Sequence, residues 1–307
     1  MVSPIGLCHD LDRTCFALLF EIENYLRLVL RWELRGRFGK EWLGILPADV
    51  KSNAKARVAQ EREIGYLDPR KSSLLSYLNL SELKDLIVES SLWNSCFKFY
   101  WPPQEVVRTE FRKLLAIRNK SAHFRPVTSR DLRVAHRFAE DLADWSRQYR
   151  RPQADSKILR WDSTDAEAFL ASEGLGQMEV GWGAMVENGE ARRLELSIET
   201  VTHHLAFSFV IPEGSANPDL FLRCLEKYEG ILTFCRIGDL ADRFALYIPR
   251  KHAGSDVAKL FQDVWEIAST AGPGISSEDV RPRFEVAERE AVLPWDLEMP
   301  TSFRHKA

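Results

Sequence analysis

The sequence predicts a two-domain protein, with an N-terminal all-α helical bundle followed by a C-terminal α+β domain with an antiparallel sheet. The length of 307 residues is more than one typical domain needs. Apolar residues recur at helical spacing up to about residue 149, and beyond it they alternate or form β-branched runs. Asn188-Gly189 joins two such runs and is a strong hairpin signal.

These patterns also predict the domain limits. We expect a helical domain over residues 1–151 and an α+β domain, to which the sequence assigns no role, over residues 157–270. Residues 149–155 have the polar, proline-containing composition of a linker. Residues 271–307 contain a Gly-Pro-Gly segment and further prolines, and we expect an extended or mobile tail there.

The first predicted helix spans residues 11–34. Asp10 and Asp12 are good residue types for its N-cap, and Gly36 and Gly39 are expected to end it. Its predicted buried stripe is almost wholly apolar and comprises Phe16, Leu19, Phe20, Glu23, Leu26, Val29 and Leu30.

Further helices are expected over residues 49–62, after a cap at Asn79, over residues 104–123, and from a cap at Thr128 to about residue 149. Together with the first helix they form a bundle of four or five helices. The second half is expected to follow the order βββ-α-ββ-α, which suggests an antiparallel sheet with helices on one face. Its predicted strands cover residues 176–186, 192–201, 203–211, 230–237 and 243–248.

The net charge of −3 conceals two halves of opposite sign. Through Arg151 the chain has 26 Lys and Arg against 19 Asp and Glu, which gives +7. The remainder carries −10. A basic first half suits a polyanionic partner such as RNA, whereas an acidic second half does not.

Several function classes are disfavoured by what the sequence lacks. It has no apolar run of about 18 residues, so we expect no membrane span, and its start does not resemble a signal peptide. The five cysteines are scattered without a CxxC pair, which argues against a zinc site or disulfide framework and favours a cytoplasmic location. No phosphate-binding or dinucleotide-binding glycine motif is present, so we expect no nucleotide cofactor, and the absence of metal-ligand clusters in the sequence leads us to expect no metal.

The segment Arg118-Asn119-Lys120-Ser121-Ala122-His123 is the best candidate for a functional site. A guanidinium binds phosphate through planar, permanent positive charge, and an imidazole exchanges a proton near neutral pH. Asn119 and His123 are four residues apart and share a helix face. The alternative from the residues alone is structural, since arginine and histidine near a helix end often cap its carbonyl groups.

This segment resembles the Arg-polar-x-x-x-His motif of the HEPN superfamily of small all-helical domains. The flanks are similar to that family as well: residues 21–43 read EIENYLRLVLRWELRGRFGKEWL, like its first helix and the turn that follows. Residues 77–97 read YLNLSELKDLIVESSLWNSCF, like the segment that precedes the motif in one branch. The resemblance covers about residues 10–150 and implies a HEPN-like bundle; the C-terminal half resembles no family known to us.

The resemblance implies a metal-independent endoribonuclease that cleaves RNA by attack of a 2′-hydroxyl on the adjacent phosphate. His123 would transfer protons, Arg118 would bind the phosphate, and Asn119 would position the imidazole or the phosphate. Lys120 and Arg125 are candidates for contacts with the RNA backbone. The implied setting is a prokaryotic toxin or phage-defence effector that acts as a homodimer, with an antitoxin or defence-system partner.

Two other readings stay open. The bundle could be a non-catalytic HEPN module that dimerises and binds RNA or a protein partner, with the acidic domain as the functional half. It could also be a toxin silenced by a nucleotidyltransferase antitoxin. Family members of that kind have a tyrosine two residues after the motif histidine, where this chain has Arg125 after Phe124.

Overall fold

The structure is a computed structural model that describes residues 10–64, 74–148, 159–160, 195–201, 203–210, 224, 227–228, 230–237, 243–251, 257, 259–260 and 263–264. The predicted strand 176–186 and the tail 271–307 lie outside the described residues. The described residues divide between two compact units, one that contains residues 10–31, 46–64 and 74–148 and the other that contains residues 32–45 and the described residues from 159 onward. The division falls inside the first helix, and the domain limits 1–151 and 157–270 stay predictions.

The helical N-terminal region predicted from the sequence is confirmed. Its main elements are α1 (Asp10–Phe38), α2 (Trp42–Ile45), α3 (Ala48–Ile64), α4 (Leu80–Ile87), α5 (Ser90–Leu92), α6 (Gln104–Ala122) and α7 (Ser129–Arg147). Short 3-10 turns cover Gly39–Glu41 and Leu74–Tyr77, and a π-helical turn over Trp93–Phe97 follows α5. None of the described helices is long and apolar enough to cross a membrane.

The N-caps predicted at Asn79 and Thr128 are both present as capping boxes. The Asn79 side chain accepts a hydrogen bond from the backbone N–H of Glu82 at 3.0 Å, and the Glu82 carboxylate accepts one from the N–H of Asn79 at 2.9 Å. Thr128 and Asp131 make the same exchange at the start of α7, at 3.2 and 2.9 Å. These reciprocal bonds satisfy donors that a helix start otherwise leaves unpaired, and they set where α4 and α7 begin.

Aromatic rings hold α6 and α7 together in the first unit. The rings of Phe111 on α6 and Phe138 on α7 lie 5.2 Å apart, and Phe138 also contacts Trp145 at 6.1 Å. Trp145 in turn lies 5.3 Å from Trp101. Edge-to-face and tilted contacts of this kind stabilise a core beyond the area that they bury. The motif helix is therefore anchored along its apolar face.

The buried face of α1 differs from the predicted stripe. Phe16 and Phe20 are 63% and 53% exposed, so their predicted burial is wrong. The helix carries apolar residues around most of its circumference, and both stripes satisfy helical spacing, so spacing alone could not choose between them. The residues that α1 buries in the first unit are Cys15, Leu18, Leu19, Ile22, Tyr25, Leu26, Val29, Leu30 and Arg31.

The second unit contains a five-stranded antiparallel sheet in the order β1-β2-β3-β5-β4, which confirms the antiparallel sheet predicted for this half. The strands are β1 (Leu159–Arg160), β2 (Glu195–Val201), β3 (His204–Val210), β4 (Phe234–Ile237) and β5 (Arg243–Pro249). The predicted pairing of the last two strands is confirmed by the register Ile237↔Phe244.

The end of α1 belongs to this second unit and packs closely on β3. Trp32 and the buried His204 have ring centroids 3.8 Å apart. A Cβ added at Gly36 would lie 2.5 Å from Cε1 of His204, so this glycine permits the close approach of helix and strand. We expected Gly36 to end the helix; instead α1 continues to Phe38, and Gly39 with φ of +58° follows it.

Candidate functional site

The motif occupies the last turn and the cap of α6. The helix start is tied to the preceding segment, because the side chains of Gln104 and Arg108 both donate to the carbonyl of Val88, at 2.9 and 3.2 Å. The helix ends at Ala122, and His123 is its exposed C-cap. The position of the imidazole is therefore set by where the helix stops.

Two backbone hydrogen bonds close the helix end. The N–H of Phe124 donates to the carbonyl of Ser121 at 3.1 Å, and the N–H of Arg125 donates to the carbonyl of Lys120 at 2.9 Å. This is the Schellman arrangement, which requires a left-handed residue just after the cap. The loop that follows is fixed in turn, because Asp12 on α1 accepts a hydrogen bond from the N–H of Val127 at 2.9 Å.

Phe124 fills the left-handed position with φ of +52°, and it is the one non-glycine residue with positive φ among those described. A side chain in this conformation costs about 1–2 kcal/mol, because its Cβ crowds the following carbonyl oxygen. Burial does not compensate, since Phe124 is 98% exposed. A strained, solvent-facing aromatic residue therefore separates His123 from Arg125 in the chain.

Arg118 lies further back on α6, where it is half-buried in the first unit. It is near enough to Glu23 on α1 to act on that carboxyl by charge. Burial raises the pKa of Glu23 above its ordinary value, while attraction from Arg27 and Arg118 works in the opposite direction. A carboxylate on α1 thus faces the guanidinium that the motif supplies.

Glu23 is held by its own helix. Its carboxylate accepts a hydrogen bond from Nη2 of Arg27 at 2.5 Å, and the same guanidinium donates to the carbonyl of Leu78 at 2.7 Å and to the side chain of Asn24, also at 2.7 Å. These bonds commit Arg27 to the scaffold. Within the part of the chain that the structure describes, the side chains of Arg118 and His123 have no such hydrogen bond or ion pair. Both remain available to a ligand.

The other predicted site residues have different surroundings. Asn119 is exposed, and its carbonyl accepts the N–H of His123 at 3.2 Å. Lys120 donates to both carboxylate oxygens of Asp131, at 2.9 and 3.0 Å, so its charge is already engaged at the start of α7. Burial alone would raise the pKa of Asp131, but hydrogen bonds from Thr128 and Lys120 lower it below its ordinary value.

The sequence interpretation missed two residues of this site. Glu23 was assigned to an apolar stripe, although a single carboxylate in such a stripe already signals a buried partner. Phe124 was noticed only as a departure from a family pattern. The sequence signal was an aromatic residue where a helix that stops before Pro126 needs its left-handed closing residue, a place that glycine normally takes.

Comparison of the chain with protein-family models, with curated proteins and with solved structures finds no match. Among the described residues there is also no group of three or more histidine, cysteine, aspartate or glutamate side chains that could hold a metal ion. His203 and His204 are adjacent histidines in the second unit. Burial and, in the same direction, the positive charges of Arg37, Arg250 and Lys251 lower the pKa of His203 to about 4. The end of α6 is therefore the candidate functional site among the described residues.

We predict that Phe124→Gly stabilises the protein, because glycine adopts positive φ without the Cβ clash. Relief of about 1–2 kcal/mol is partly cancelled by the greater freedom of glycine in the unfolded chain, so we expect a gain of roughly 0.5–1 kcal/mol. Urea denaturation followed by circular dichroism measures it. Phe124→Ala is the control, since it removes the ring but keeps the strain. Equal or lower stability for the glycine variant would contradict the assignment of strain to this residue.

We also predict that Glu23→Gln changes the pH dependence of stability. The folded-state pKa of Glu23 is raised above 4.5, so its contribution to folding is fully present below its unfolded pKa. That contribution is lost as the pH rises through the folded pKa. The free energy of unfolding of the wild type, relative to Glu23→Gln, should therefore fall as the pH is raised above 4.5. Glu21→Gln, at an exposed position on the same helix, should show a smaller change; identical profiles for the two variants would contradict the prediction.

Proposed function

We propose that this chain is a metal-independent endoribonuclease of HEPN type. The observation that supports the proposal most strongly is the chemistry at the end of α6. There the exposed imidazole of His123 terminates a helix whose half-buried Arg118 has no hydrogen bond or ion pair within the described residues. One group can move protons and the other can bind phosphate, which are the two functions that phosphodiester cleavage by internal attack needs.

The proposed reaction is a transfer within the RNA strand. An imidazole takes the proton of a 2′-hydroxyl as its oxygen attacks the adjacent phosphorus. The bond from phosphorus to the 5′-oxygen of the next nucleotide then breaks, and an imidazolium gives that oxygen a proton. The products are a 2′,3′-cyclic phosphate and a 5′-hydroxyl. Arg118 stabilises the negative charge that gathers on the phosphate oxygens.

The remaining motif residues take supporting roles in this proposal. Asn119 positions the imidazole or the phosphate from one turn before His123. Arg125 is exposed directly after the closed helix end and contacts the RNA backbone. Lys120 contributes positive charge to the same surface, although its ion pair with Asp131 would have to loosen for a direct phosphate contact.

A homodimer is part of the proposal, because one chain offers one motif imidazole whereas the reaction needs one proton acceptor and one donor. On a straight helix, Arg118 and His123 also diverge by about 140°. A two-fold contact between motif helices would place two copies of each residue in one basic cleft. Bound phosphate would ease the repulsion between the like charges. An antitoxin or defence-system protein is the further partner, and a prokaryotic toxin or phage-defence role is the setting.

The second candidate is a non-catalytic module that docks a partner through the bundle. The observation that favours it is the pair of exposed phenylalanines on α1, Phe16 and Phe20, which lie four residues apart and therefore on the same helix face. Apolar residues grouped in this way mark interaction surfaces. RNA binding without any cut by the wild type would favour this candidate.

We predict that the purified protein cuts total RNA in the presence of EDTA and leaves cyclic-phosphate ends. His123→Ala should lower the cleavage rate by at least about 100-fold, since acid–base catalysis contributes roughly 10²–10⁴. Because His123 is exposed, the variant should keep its free energy of unfolding within about 0.5 kcal/mol. His136→Ala, a histidine on α7 outside the motif, is the comparison. Full activity of His123→Ala would contradict the proposed role.

We further predict that the active unit is a dimer with shared sites. Arg118→Ala and His123→Ala should each be inactive alone, and mixing them should restore some cleavage if each chain supplies one part of each site. The measurement is cleavage of a labelled RNA before and after the two variants exchange subunits. Sedimentation of the wild type as a monomer at concentrations where it still cuts RNA would rule out this arrangement.

A further inference from the structure

Phe124 combines two features that do not favour folding for an aromatic residue, a strained backbone at a position that glycine normally takes and a side chain that is 98% exposed. Strain of this kind persists where the surrounding structure imposes it, and it concentrates at functional sites. We propose that the ring of Phe124 stacks on a nucleobase of single-stranded RNA, next to the phosphate that Arg118 and His123 act on. The inference deepens the proposed function and rests on it.

The helix closure gives the residue a defined place. The N–H of Phe124 is bound to the carbonyl of Ser121 and the N–H of Arg125 to the carbonyl of Lys120, so the backbone on both sides of the aromatic is held. The loop is held again at Val127 by Asp12. A rigid backbone places an aromatic ring at little entropic cost, which is the condition for a useful stacking residue.

The charges around Phe124 favour RNA over a second copy of this chain as the occupant. Phe124 lies between His123 and Arg125 in the sequence, and Val127, the other large apolar side chain in residues 121–130, is buried. An aromatic residue followed directly by an arginine matches a strand that alternates bases with phosphates. A second copy docked here without a bound phosphate would bring two Arg125 side chains together with nothing to offset their charge.

The same chemistry selects unpaired RNA. Bases inside a duplex are covered on both faces by their neighbours, so a protruding ring cannot stack on them. Stacking tolerates any base, because every base has a π-face. The expected substrate class is therefore single-stranded segments, loops and ends, with weak preference for the base itself.

The test uses the full chain and RNA that cannot be cut. A fluorescent 2′-O-methyl single strand has no free 2′-hydroxyl, so its binding is measured by anisotropy without cleavage. Phe124→Gly should weaken this binding by about 5- to 140-fold, the loss of one stacked base. Phe124→Trp should bind at least as tightly as wild type. Phe99→Ala, which removes another exposed phenylalanine, should bind like wild type, and a 2′-O-methyl duplex should not respond to residue 124.

Salt dependence separates stacking from charge. Phe124→Gly should weaken binding equally at every salt concentration and leave the slope of log K against log salt unchanged, because stacking releases no counterion. Arg125→Ala should make the slope shallower by about 0.7, the value for one phosphate contact on a single strand. A change of slope in Phe124→Gly would overturn the stacking assignment.

The outcomes also separate this inference from the proposed nuclease activity. Weakened binding in Phe124→Gly supports stacking even if the wild type cuts no RNA, a result that would refute the nuclease activity alone. Unchanged binding in Phe124→Gly overturns stacking even if the wild type cuts RNA and His123→Ala does not. A shift of Phe124→Gly from dimer to monomer in sedimentation, without RNA present, would also overturn it by assigning the ring to an interface between copies.

Discussion

The way α6 ends is the constraint on which the candidate site depends. Two backbone hydrogen bonds, from Phe124 and Arg125 to the carbonyls of Ser121 and Lys120, stop the helix and hold the residues just after it. Because the helix stops there, the imidazole of His123 is in water, while Arg118 remains on the half-buried side of the same helix. A helix that continued one more turn would place the residues after His123 on α6 and remove this exposed helix end. The hydrogen bonds that end α6 therefore lie at the same place as the side chains proposed to act on RNA.

Two features of the first unit, the burial of the Glu23 carboxyl and the backbone strain at Phe124, are unfavourable for its stability. Glu23 is buried enough for its pKa to be raised despite the attraction of Arg27 and Arg118, so its ionised form is less favourable in the fold than in water. Phe124 adds backbone strain without burial. Proteins keep such unfavourable features where function requires them, and both are near the motif. The capping box at Thr128 and the aromatic contacts of Phe111 and Phe138 hold the motif helix and its neighbour in place.

Local signals in the sequence predicted local structure well. Asn79 and Thr128 cap their helices because a short polar side chain satisfies the free N–H groups whatever the surroundings. Properties that depend on distant parts of the chain could not be predicted in this way. Phe16 is exposed because another face of α1 is packed, and Gly36 lies inside the helix because His204, far along the chain, lies against it. The motif residues were identified from the sequence, but the charge that Glu23 places near Arg118 depends on where the fold of the first unit places α1.

Photo-crosslinking shows directly whether RNA contacts the end of α6, because it identifies which part of the chain RNA touches. A single-stranded RNA that carries 5-iodouridine is bound to the full-length protein, irradiated and digested with trypsin, and the peptide that carries the nucleotide is identified by mass spectrometry. The bond between Arg125 and Pro126 resists trypsin, so the closed helix end is released in the peptide from Ser121 to Arg130. If Phe124 stacks on a base, we expect the adduct in this peptide and its loss in Phe124→Gly. Adducts confined to residues beyond 151, with none on this peptide, would contradict it and would move RNA binding to the acidic half.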